Sequence, residues 1–423
     1  MDKRLAVLVA GKRAGTLIQK QGGGLSFLYD SGYSGPPLSL SMPVSGRRFG
    51  DKVVAPYFMG LLPDSPGVRR ALGREFGVSG NSPFALLEHI GLDCPGAIQV
   101  CSEGQAVTVP LREEGLVPLS ETEIAERLAR GRTDENAKWE TDQERWSLGG
   151  QQSKLALRYE SGAWFSCTGS AATTHILKPG IPGLRSEALN EYVCLELAAG
   201  CGIPAAHVSY LLFDGEPAIV VERYDRVRDQ SGAVVRLHQE DFCQALGVLP
   251  QNKYPEDGGP SAGDIIDVLK RTGRPAAGNL KAFMKMLFFN YLIAAPDAHG
   301  KNYSMVLGRD LAYLAPLYDV ASMIPYASRL SDIKLAMGIA GENRVASVSA
   351  RRLSRFAKSA GLERYGLDGA TLSGMLAELA EALPGKLESV LSERASMPGV
   401  DELGERLLPG ISHLCEKSLS RLG

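Results

Sequence analysis

The hydrophobic pattern of the chain changes along its length, and this change constrains the fold more than any other feature. Up to about residue 225, apolar residues occur in short runs bounded by Gly, Ser and Pro, as in residues 5–10, 25–29 and 38–42. Such punctuation is typical of β-strands. From residue 239 onward, apolar positions recur at i, i+3 and i+4, as in residues 350–360, which indicates helices. The sequence therefore predicts an α+β protein with a β-rich first half and an all-helical carboxyl-terminal lobe.

The same patterns predict three domains. These are a β-rich subdomain over residues 1–110, a β-rich lobe with one main helix over residues 111–225, and a helical lobe over residues 226–423. Further strands are predicted at residues 146–148, 153–159, 162–167, 175–178, 207–213 and 217–222, with a hairpin formed by 97–101 and 106–110. Helices are predicted at residues 67–76, 82–90, 121–131, 186–200, 284–295, 350–360, 372–383, 385–393 and 401–422.

Composition and charge exclude several classes of protein. The chain has 423 residues, 44% of them apolar, and its formal net charge is −2, which argues against a dedicated nucleic-acid-binding protein. No stretch approaches the roughly 18–20 apolar residues that a membrane helix needs, and residues 5–10 predict a first strand rather than a signal peptide. The seven cysteines are irregularly spaced, so we expect free thiols, no zinc site and a reducing cytoplasm.

The most informative segment follows the apolar residues 284–295. It reads Pro-Asp-Ala-His-Gly-Lys-Asn from residue 296 to residue 302, and Asp297 precedes Asn302 by five positions. That is the spacing of the catalytic loop of protein kinases, in which Asp engages the substrate hydroxyl and Asn binds Mg²⁺. By itself the segment also fits a polar loop that caps a helix.

A second acidic residue, Asp319, follows Asn302 by 17 positions, as a metal-binding aspartate follows the catalytic loop in kinases. Asp319 ends the short apolar segment Pro-Leu-Tyr-Asp, where a kinase places the carboxylate that binds the metal ion beside the ATP phosphates. No glycine follows it, and a simple turn after an edge strand is the alternative interpretation.

Three upstream features match the remaining parts of a kinase in the same order. Residues 147–154 (Ser-Leu-Gly-Gly-Gln-Gln-Ser-Lys) offer adjacent glycines whose N–H groups can approach phosphate, although Gly-Gly is also common in hairpin turns. Lys178 ends a predicted strand, where it could reach the phosphates or simply be solvated. In the next helix, Glu191 or Glu187 could pair with it, or both could face solvent. The strand at residues 219–225 then provides a hinge. Together, the order of these features predicts phosphoryl transfer from ATP with Mg²⁺.

Several long motifs are similar to those of the HipA family of bacterial serine/threonine kinase toxins. They are residues 36–43 (Pro-Pro-Leu-Ser-Leu-Ser-Met-Pro), 61–66 (Leu-Leu-Pro-Asp-Ser-Pro), 147–154, 173–178, 221–225, 297–302, 318–319 and 331–338 (Ser-Asp-Ile-Lys-Leu-Ala-Met-Gly). The resemblance covers nearly the whole chain, includes an amino-terminal domain, and implies a two-lobed protein-kinase-like fold.

The resemblance also implies roles for individual residues. Asp297 would be the catalytic aspartate, Lys301 could stabilise the transferring charge, and Asn302 and Asp319 would bind Mg²⁺. Ser147 would be the site of autophosphorylation, which expels the loop from beside the ATP phosphates and switches the kinase off. The remaining residues implied to contact ATP are Gly149, Gly150, Gln151, Gln152, Ser153, Lys154 and Lys178 around the phosphates, Glu222 and Tyr224 at the adenine, and His299. Glu191 is the expected partner of Lys178.

For function, the resemblance implies a toxin that phosphorylates a protein serine, with an aminoacyl-tRNA synthetase such as glutamyl-tRNA synthetase as substrate. Translation would stop, and growth arrest or persistence would follow. A helix-turn-helix antitoxin dimer of the HipB type would bridge two copies of the chain, bind operator DNA and repress transcription of the operon. Ser153 departs from the family pattern, which more often has Glu before the lysine, and it adds a second phosphorylatable serine. The alternatives are a catalytically weak co-repressor that acts through HipB, and a small-molecule kinase.

Overall fold

The computed structural model describes residues 2–109, 115–133 and 146–423. Its strands are β1 (Lys3–Val9), β2 (Lys12–Gln19), β3 (Leu25–Tyr29), β4 (Arg48–Phe49), β5 (Ile98–Ser102), β6 (Gly115–Leu119), β7 (Leu155–Glu160), β8 (Ala163–Thr168), β9 (His175–Lys178), β10 (Val208–Phe213), β11 (Glu216–Glu222), β12 (Arg226–Arg228), β13 (Val234–Arg236), β14 (Gln239–Asp241), β15 (Ser304–Leu307), β16 (Ala312–Leu314), β17 (Lys334–Ile339) and β18 (Glu342–Arg344). Its α-helices are α1 (Asp51–Gly60), α2 (Pro66–Glu75), α3 (Pro83–Ile90), α4 (Glu121–Thr133), α5 (Glu187–Gly200), α6 (Phe242–Leu246), α7 (Ala262–Leu269), α8 (Ala276–Leu292), α9 (Ala350–Ser359), α10 (Gly369–Glu393) and α11 (Val400–Leu422).

The chain divides into two compact units. The first consists of Met1–Pro182, Tyr210–Asn252 and Met305–Ala312. The second consists of Gly183–Ser209, Lys253–Ser304 and Tyr313–Gly423.

The first unit contains two larger sheets. One has the order β4-β3-β2-β1-β5 and is antiparallel throughout, with Leu5 opposite Leu17 and Val7 opposite Val100. The other has the order β10-β11-β9-β7-β8-β6. Buried residues of both sheets, together with α1, α2 and α3, form one continuous hydrophobic core. The β-rich amino-terminal segment is therefore stabilised by the same buried apolar area as the sheet that follows it.

The second unit contains two long helices, α10 and α11. The helix α10 packs against α5, α8, α9 and α11. Aromatic residues make α8 apolar on almost every side, and its Phe283, Phe288 and Phe289 are fully buried. A helix that is apolar all round is stable only inside a core, so α8 forms the centre of this unit and fixes the segment that follows it.

Many of the predicted elements are confirmed. The strand predicted at residues 25–29 is β3, and the helices predicted near residues 67–76, 82–90, 121–131, 186–200, 350–360 and 401–422 are α2, α3, α4, α5, α9 and α11. Ser120 and Glu123 form the reciprocal hydrogen bonds of a capping box at the beginning of α4. Asp214 and Gly215 both have positive φ in the turn between β10 and β11.

Other predictions are wrong. The carboxyl-terminal segment is not all-helical, because β12 to β18 lie within residues 226–423. These strands have three to six residues each, which is too short for a periodic pattern to stand out. The helices predicted at residues 372–383 and 385–393 form one helix, α10, which continues through Pro384. Tertiary packing outweighs the lost backbone hydrogen bond there.

Three predicted strands are also absent from the part of the chain that the structure describes. Residues 38–42 form a tight turn in which Met42 N donates to Ser39 O. Glu103–Gln105 form a 3₁₀ helix and residues 106–108 a turn, so β5 pairs with β1 rather than with a following strand; residue 110 lies outside the described ranges. Of residues 146–148, only Trp146 makes a β-bridge. In the described ranges, no helix is long and apolar enough to cross a membrane.

Candidate functional site

The segment between residues 297 and 302 is a compact loop that begins where α8 ends. Ala294 turns the chain out of α8 with a φ of 51°. Within the loop, His299 N donates to Asp297 O at 2.8 Å and Asn302 N donates to His299 O at 2.9 Å. Gly300 N donates to Lys253 O at 3.3 Å and ties the loop to the chain before α7. The polar groups that follow the apolar helix therefore have partners, which is what their burial requires.

The Asn302 side chain joins this loop to the segment that carries Asp319. Its Nδ2 donates to Asp297 O at 2.7 Å and to Asp319 O at 3.4 Å. Asp319 has a φ of 58°, a left-handed conformation that non-glycine residues adopt rarely and that is enriched at functional sites. The structure thus brings together the three residues Asp297, Asn302 and Asp319 that the five-residue spacing and the downstream Asp singled out.

The Asp297 carboxylate is 66% exposed but has a fixed position. Tyr254 Oη donates to Asp297 Oδ1 at 2.5 Å, and His299 Nε2 lies 3.9 Å from the same oxygen. The rings of Tyr254 and His299 pack edge to face, with centroids 4.9 Å apart. An exposed carboxylate held on one side by a tyrosine is suited to accept a proton or to orient a hydroxyl on the other side.

The sequence interpretation missed Tyr254 because it lies 43 positions before Asp297, outside any local pattern. It also missed Tyr318, whose Oη donates to Lys301 O at 2.8 Å and lies 2.6 Å from Ser304 Oγ. Tyr318 therefore contacts the Lys301 backbone and the Ser304 side chain, one at each end of the Lys301–Ser304 segment. Lys301 and His299 are both buried.

The donor set at this loop fits a magnesium ion. Asn302 uses its amide nitrogen on two backbone carbonyls, so its Oδ1 remains as an acceptor, and Asp319 supplies a carboxylate. Mg²⁺ prefers oxygen ligands and commonly takes one or two side chains together with substrate phosphates. Among the described residues, no group of three or more His, Cys, Asp or Glu could form an all-protein metal cage.

The glycine-containing loop of residues 147–154, here called the phosphate loop, lies in the first unit. Gly150 has a φ of 101°, a backbone conformation that favours glycine because residues with a Cβ are strained there. Lys154 Nζ donates to Gly149 O at 2.7 Å and folds the loop upon itself. Ser147 is 1% exposed, and its Oγ donates to Leu61 O at 2.7 Å. Ser153 is buried, while Gln151 is exposed and Gln152 half-buried.

Lys178, Glu222 and Tyr224 belong to or follow the β9–β11 pair of the first unit. Lys178 is buried at the end of β9, opposite Ile219, and Glu222 pairs with His175 at the other end of the ladder. Tyr224 Oη donates to Gln239 Oε1 at 2.8 Å. Their proposed contacts with ATP stay predictions. Glu191 is buried in α5 of the second unit, and its pairing with Lys178 also stays a prediction.

A buried charge cluster beside the hinge was not expected from the sequence. The Asp93 carboxylate contacts Arg226 at 2.8 Å, Arg236 at 3.0 Å and Arg223 at 3.4 Å, and Arg223 also pairs with Asp225 at 2.9 Å. Burial raises the pKa of Asp93, but the three guanidinium groups outweigh this effect and hold that pKa well below its usual value. Two features of the sequence could have indicated this cluster. Asp93 directly precedes the segment Cys-Pro-Gly, and several arginines, including Arg223 and Arg226, follow β11.

Comparisons with known proteins agree with these features. The family profile of the HipA-like C-terminal domain matches residues 146–387, and that of the HipA N-terminal domain matches residues 5–101. The chain is 37% identical to the putative kinase Y4mE of Sinorhizobium fredii over 83% of its length and 84% of that protein. It is 30% identical to the serine/threonine-protein kinase toxin HipA of Shewanella oneidensis over 87% of its length and 83% of that protein.

A solved structure shows the same fold. The HipA chain in the Shewanella oneidensis complex of HipA, HipB and operator DNA superposes with a TM-score of 0.80 at 27% identity, covering 99% of this chain and 96% of that one. The protein is therefore a kinase with a protein-kinase-like α+β fold. More narrowly, the chain belongs to the HipA family of kinase toxins.

Proposed function

We propose that this protein transfers the γ-phosphate of ATP to a serine hydroxyl of a protein substrate. The observation that carries the proposal is the Asn302 side chain, which holds the backbone of Asp297 and of Asp319 in one arrangement. Catalysis of phosphoryl transfer depends mainly on such positioning and on electrostatic stabilisation.

In the proposed mechanism, Asp297 Oδ2 orients the attacking hydroxyl and accepts its proton, while Tyr254 holds Oδ1. Lys301 stabilises the charge of the transferring group, and Lys178 and Lys154 contact the phosphates. Glu222 and Tyr224 hold the adenine. A magnesium ion bound by Asn302 and Asp319 would neutralise charge on the phosphate oxygens.

The proposed switch rests on the burial of Ser147. Its hydroxyl donates a hydrogen bond to Leu61 O, whereas the oxygens of a phosphoserine act mainly as acceptors at neutral pH and carry a charge of about −1.5 to −2. Repulsion from the Leu61 carbonyl and the cost of burying the charge away from water would both disfavour a phosphate at this position, and the phosphate loop would leave it. We propose that this change inactivates the kinase.

The biological setting is proposed from similarity alone. A HipB-type antitoxin is the proposed partner, because the Shewanella relative was solved with HipB and operator DNA. Transcriptional repression would follow from that assembly. An aminoacyl-tRNA synthetase is the proposed substrate, and arrest of translation with persistence the proposed outcome.

The test is phosphopeptide mapping of the full chain after incubation with Mg·ATP. Wild-type protein and the Asp310→Ala variant, which changes a carboxylate whose side chain is 84% exposed, should carry phosphate on Ser147. The Asp297→Ala and Asp319→Ala variants should carry none. Equal phosphorylation of all four proteins would refute the assigned roles, and a wild type that neither binds ATP nor transfers phosphate would refute the kinase activity.

A further inference from the structure

The amino-terminal domain contacts the phosphate loop through the turn that follows α1. This turn, residues 61–66, is called here the loop seat. Leu61 O accepts the hydrogen bond from Ser147 Oγ at 2.7 Å, and Asp64 N donates to Gly150 O at 2.9 Å. Two points of the phosphate loop, three residues apart, are therefore bonded to one turn.

The loop seat is rigid for identifiable reasons. Leu61 and Leu62 are buried in the continuous core of the first unit. Ser65 Oγ accepts from Val68 N and begins α2. Arg69, on the first turn of that helix, reaches back and donates from one guanidinium nitrogen to Pro63 O at 2.7 Å and to Asp64 O at 2.8 Å.

A third contact fixes the beginning of the phosphate loop. Ser147 N donates to Asp93 O at 2.9 Å, and Trp146 forms a parallel bridge with Asp93. The side chain of Asp93 is held in turn by the buried charge cluster. The amino-terminal domain therefore supplies an anchor on each side of Ser147.

We propose that the loop seat holds the phosphate loop in the position seen in this structure, and that Arg69 is a positioning residue for that loop. The bonds from Ser147 Oγ to Leu61 O and from Asp64 N to Gly150 O both use a backbone group of the seat, so they fix the path of the loop. Loosening the seat frees the phosphate loop, raises the KM for ATP, and exposes Ser147 as a phosphate acceptor. The last two effects rest on the proposed function.

The first test measures loop docking without any catalysis. Amide hydrogen exchange of peptides that cover residues 147–154 is compared between wild type, Arg69→Ala and Arg70→Ala. Arg70 is the next residue of α2 and is exposed, so its variant carries the same change of charge. Exchange should be roughly tenfold faster in Arg69→Ala, since hydrogen bonds from a charged group are lost. It should be unchanged in Arg70→Ala and in peptides that cover β9, which report whether the unit remains folded.

A second variant keeps the proposal testable if Arg69→Ala does not fold. Ser147→Ala removes only the hydroxyl that donates to Leu61 O, and it should also accelerate exchange in residues 147–154. Exchange equal to wild type in a folded Arg69→Ala, or in Ser147→Ala, would overturn the proposal.

The consequence for activity is measured separately. At saturating Mg·ATP, Arg69→Ala should phosphorylate Ser147 several-fold faster than wild type and Arg70→Ala, with a higher KM for ATP. Faster loop exchange without kinase activity in any protein would support the seat and refute the proposed function. Active protein with unchanged loop exchange and unchanged KM in Arg69→Ala would refute the seat alone.

Discussion

Glu240 is a buried acid whose replacement should change how stability depends on pH. It lies in β14, is fully buried, and accepts a hydrogen bond from Leu40 N at 2.7 Å. Burial raises its pKa from the usual 4.5 to about 8, although hydrogen bonds from Ser39 and from Leu40 N oppose this effect. Between these two values the folded protein binds a proton that the unfolded chain has lost. The free energy of unfolding therefore decreases as the pH rises through this window.

The size of the effect follows from the two pKa values. Each pH unit inside the window costs about 1.4 kcal/mol, so the wild type should lose roughly 3–4 kcal/mol between pH 5 and pH 8 through Glu240. The Glu240→Gln variant keeps an oxygen for Leu40 N but cannot ionise. Its free energy of unfolding, relative to wild type, should therefore increase by that amount over the same range.

Urea unfolding followed by tryptophan fluorescence measures this difference. Trp146 and Trp164 lie in the first unit, which also contains Glu240, whereas position 139, the third tryptophan, is outside the described residues. Comparison of the two proteins cancels the opposite contribution of His238, whose pKa burial lowers to about 4. Glu88→Gln, an exposed change on α3, should give the wild-type profile. A constant difference between wild type and Glu240→Gln across pH 5 to 8 would refute the reasoning.

Three further predictions concern the cluster and the catalytic loop. Asp93→Asn should lower the free energy of unfolding at pH 7 by roughly 3–5 kcal/mol, because it leaves buried guanidinium groups without their partner. Because the pKa of Asp93 is lowered in the folded protein, its contribution to the free energy of unfolding is complete above about pH 4 and is lost as the pH falls further. In urea unfolding, the variant should therefore not show this loss of stability in acid. A free energy of unfolding at pH 7 within about 1 kcal/mol of the wild-type value would contradict the prediction. Tyr254→Phe should lower kcat roughly tenfold at an unchanged KM for ATP, because Asp297 loses its donor, and a change in KM alone in steady-state assays would argue otherwise. Asn302→Ala should abolish transfer and weaken ATP binding in the presence of Mg²⁺ but not in EDTA; equal weakening in both, measured by calorimetry, would place Asn302 away from the metal.

Local patterns in the sequence predict the regular elements well and their interruptions poorly. The helices α2 and α3 begin at Pro residues that follow a Ser cap, and both could be read directly. The helix α1 was missed because Pro56 interrupts its pattern, although packing in the core maintains it. The strands β14 to β18 are too short to show a period, and their pairing depends on residues far away in the chain.

In the candidate site, too, local sequence patterns reveal some of the residues, whereas others can be found only from the structure. The spacing of Asp297 and Asn302 could be recognised because both lie in one loop, and the loop hydrogen bonds account for that spacing. Tyr254 and Asp93 could not, because each acts through contacts across more than 40 positions of sequence. The role of residues 61–66 also became apparent only from the structure, since Leu61 and Asp64 bond to the phosphate loop through the backbone atoms O and N.

The most direct test of the central claim compares the rate of γ-phosphate transfer from Mg·ATP to protein serine by wild type and by Asp297→Asn, with ATP affinity measured in parallel. The variant keeps the size of the side chain and an oxygen for Tyr254 but cannot accept a proton. We predict ATP affinity within about twofold of wild type and transfer at least roughly a hundredfold slower. Equal transfer rates in the two proteins, or no transfer by the wild type, would contradict the account.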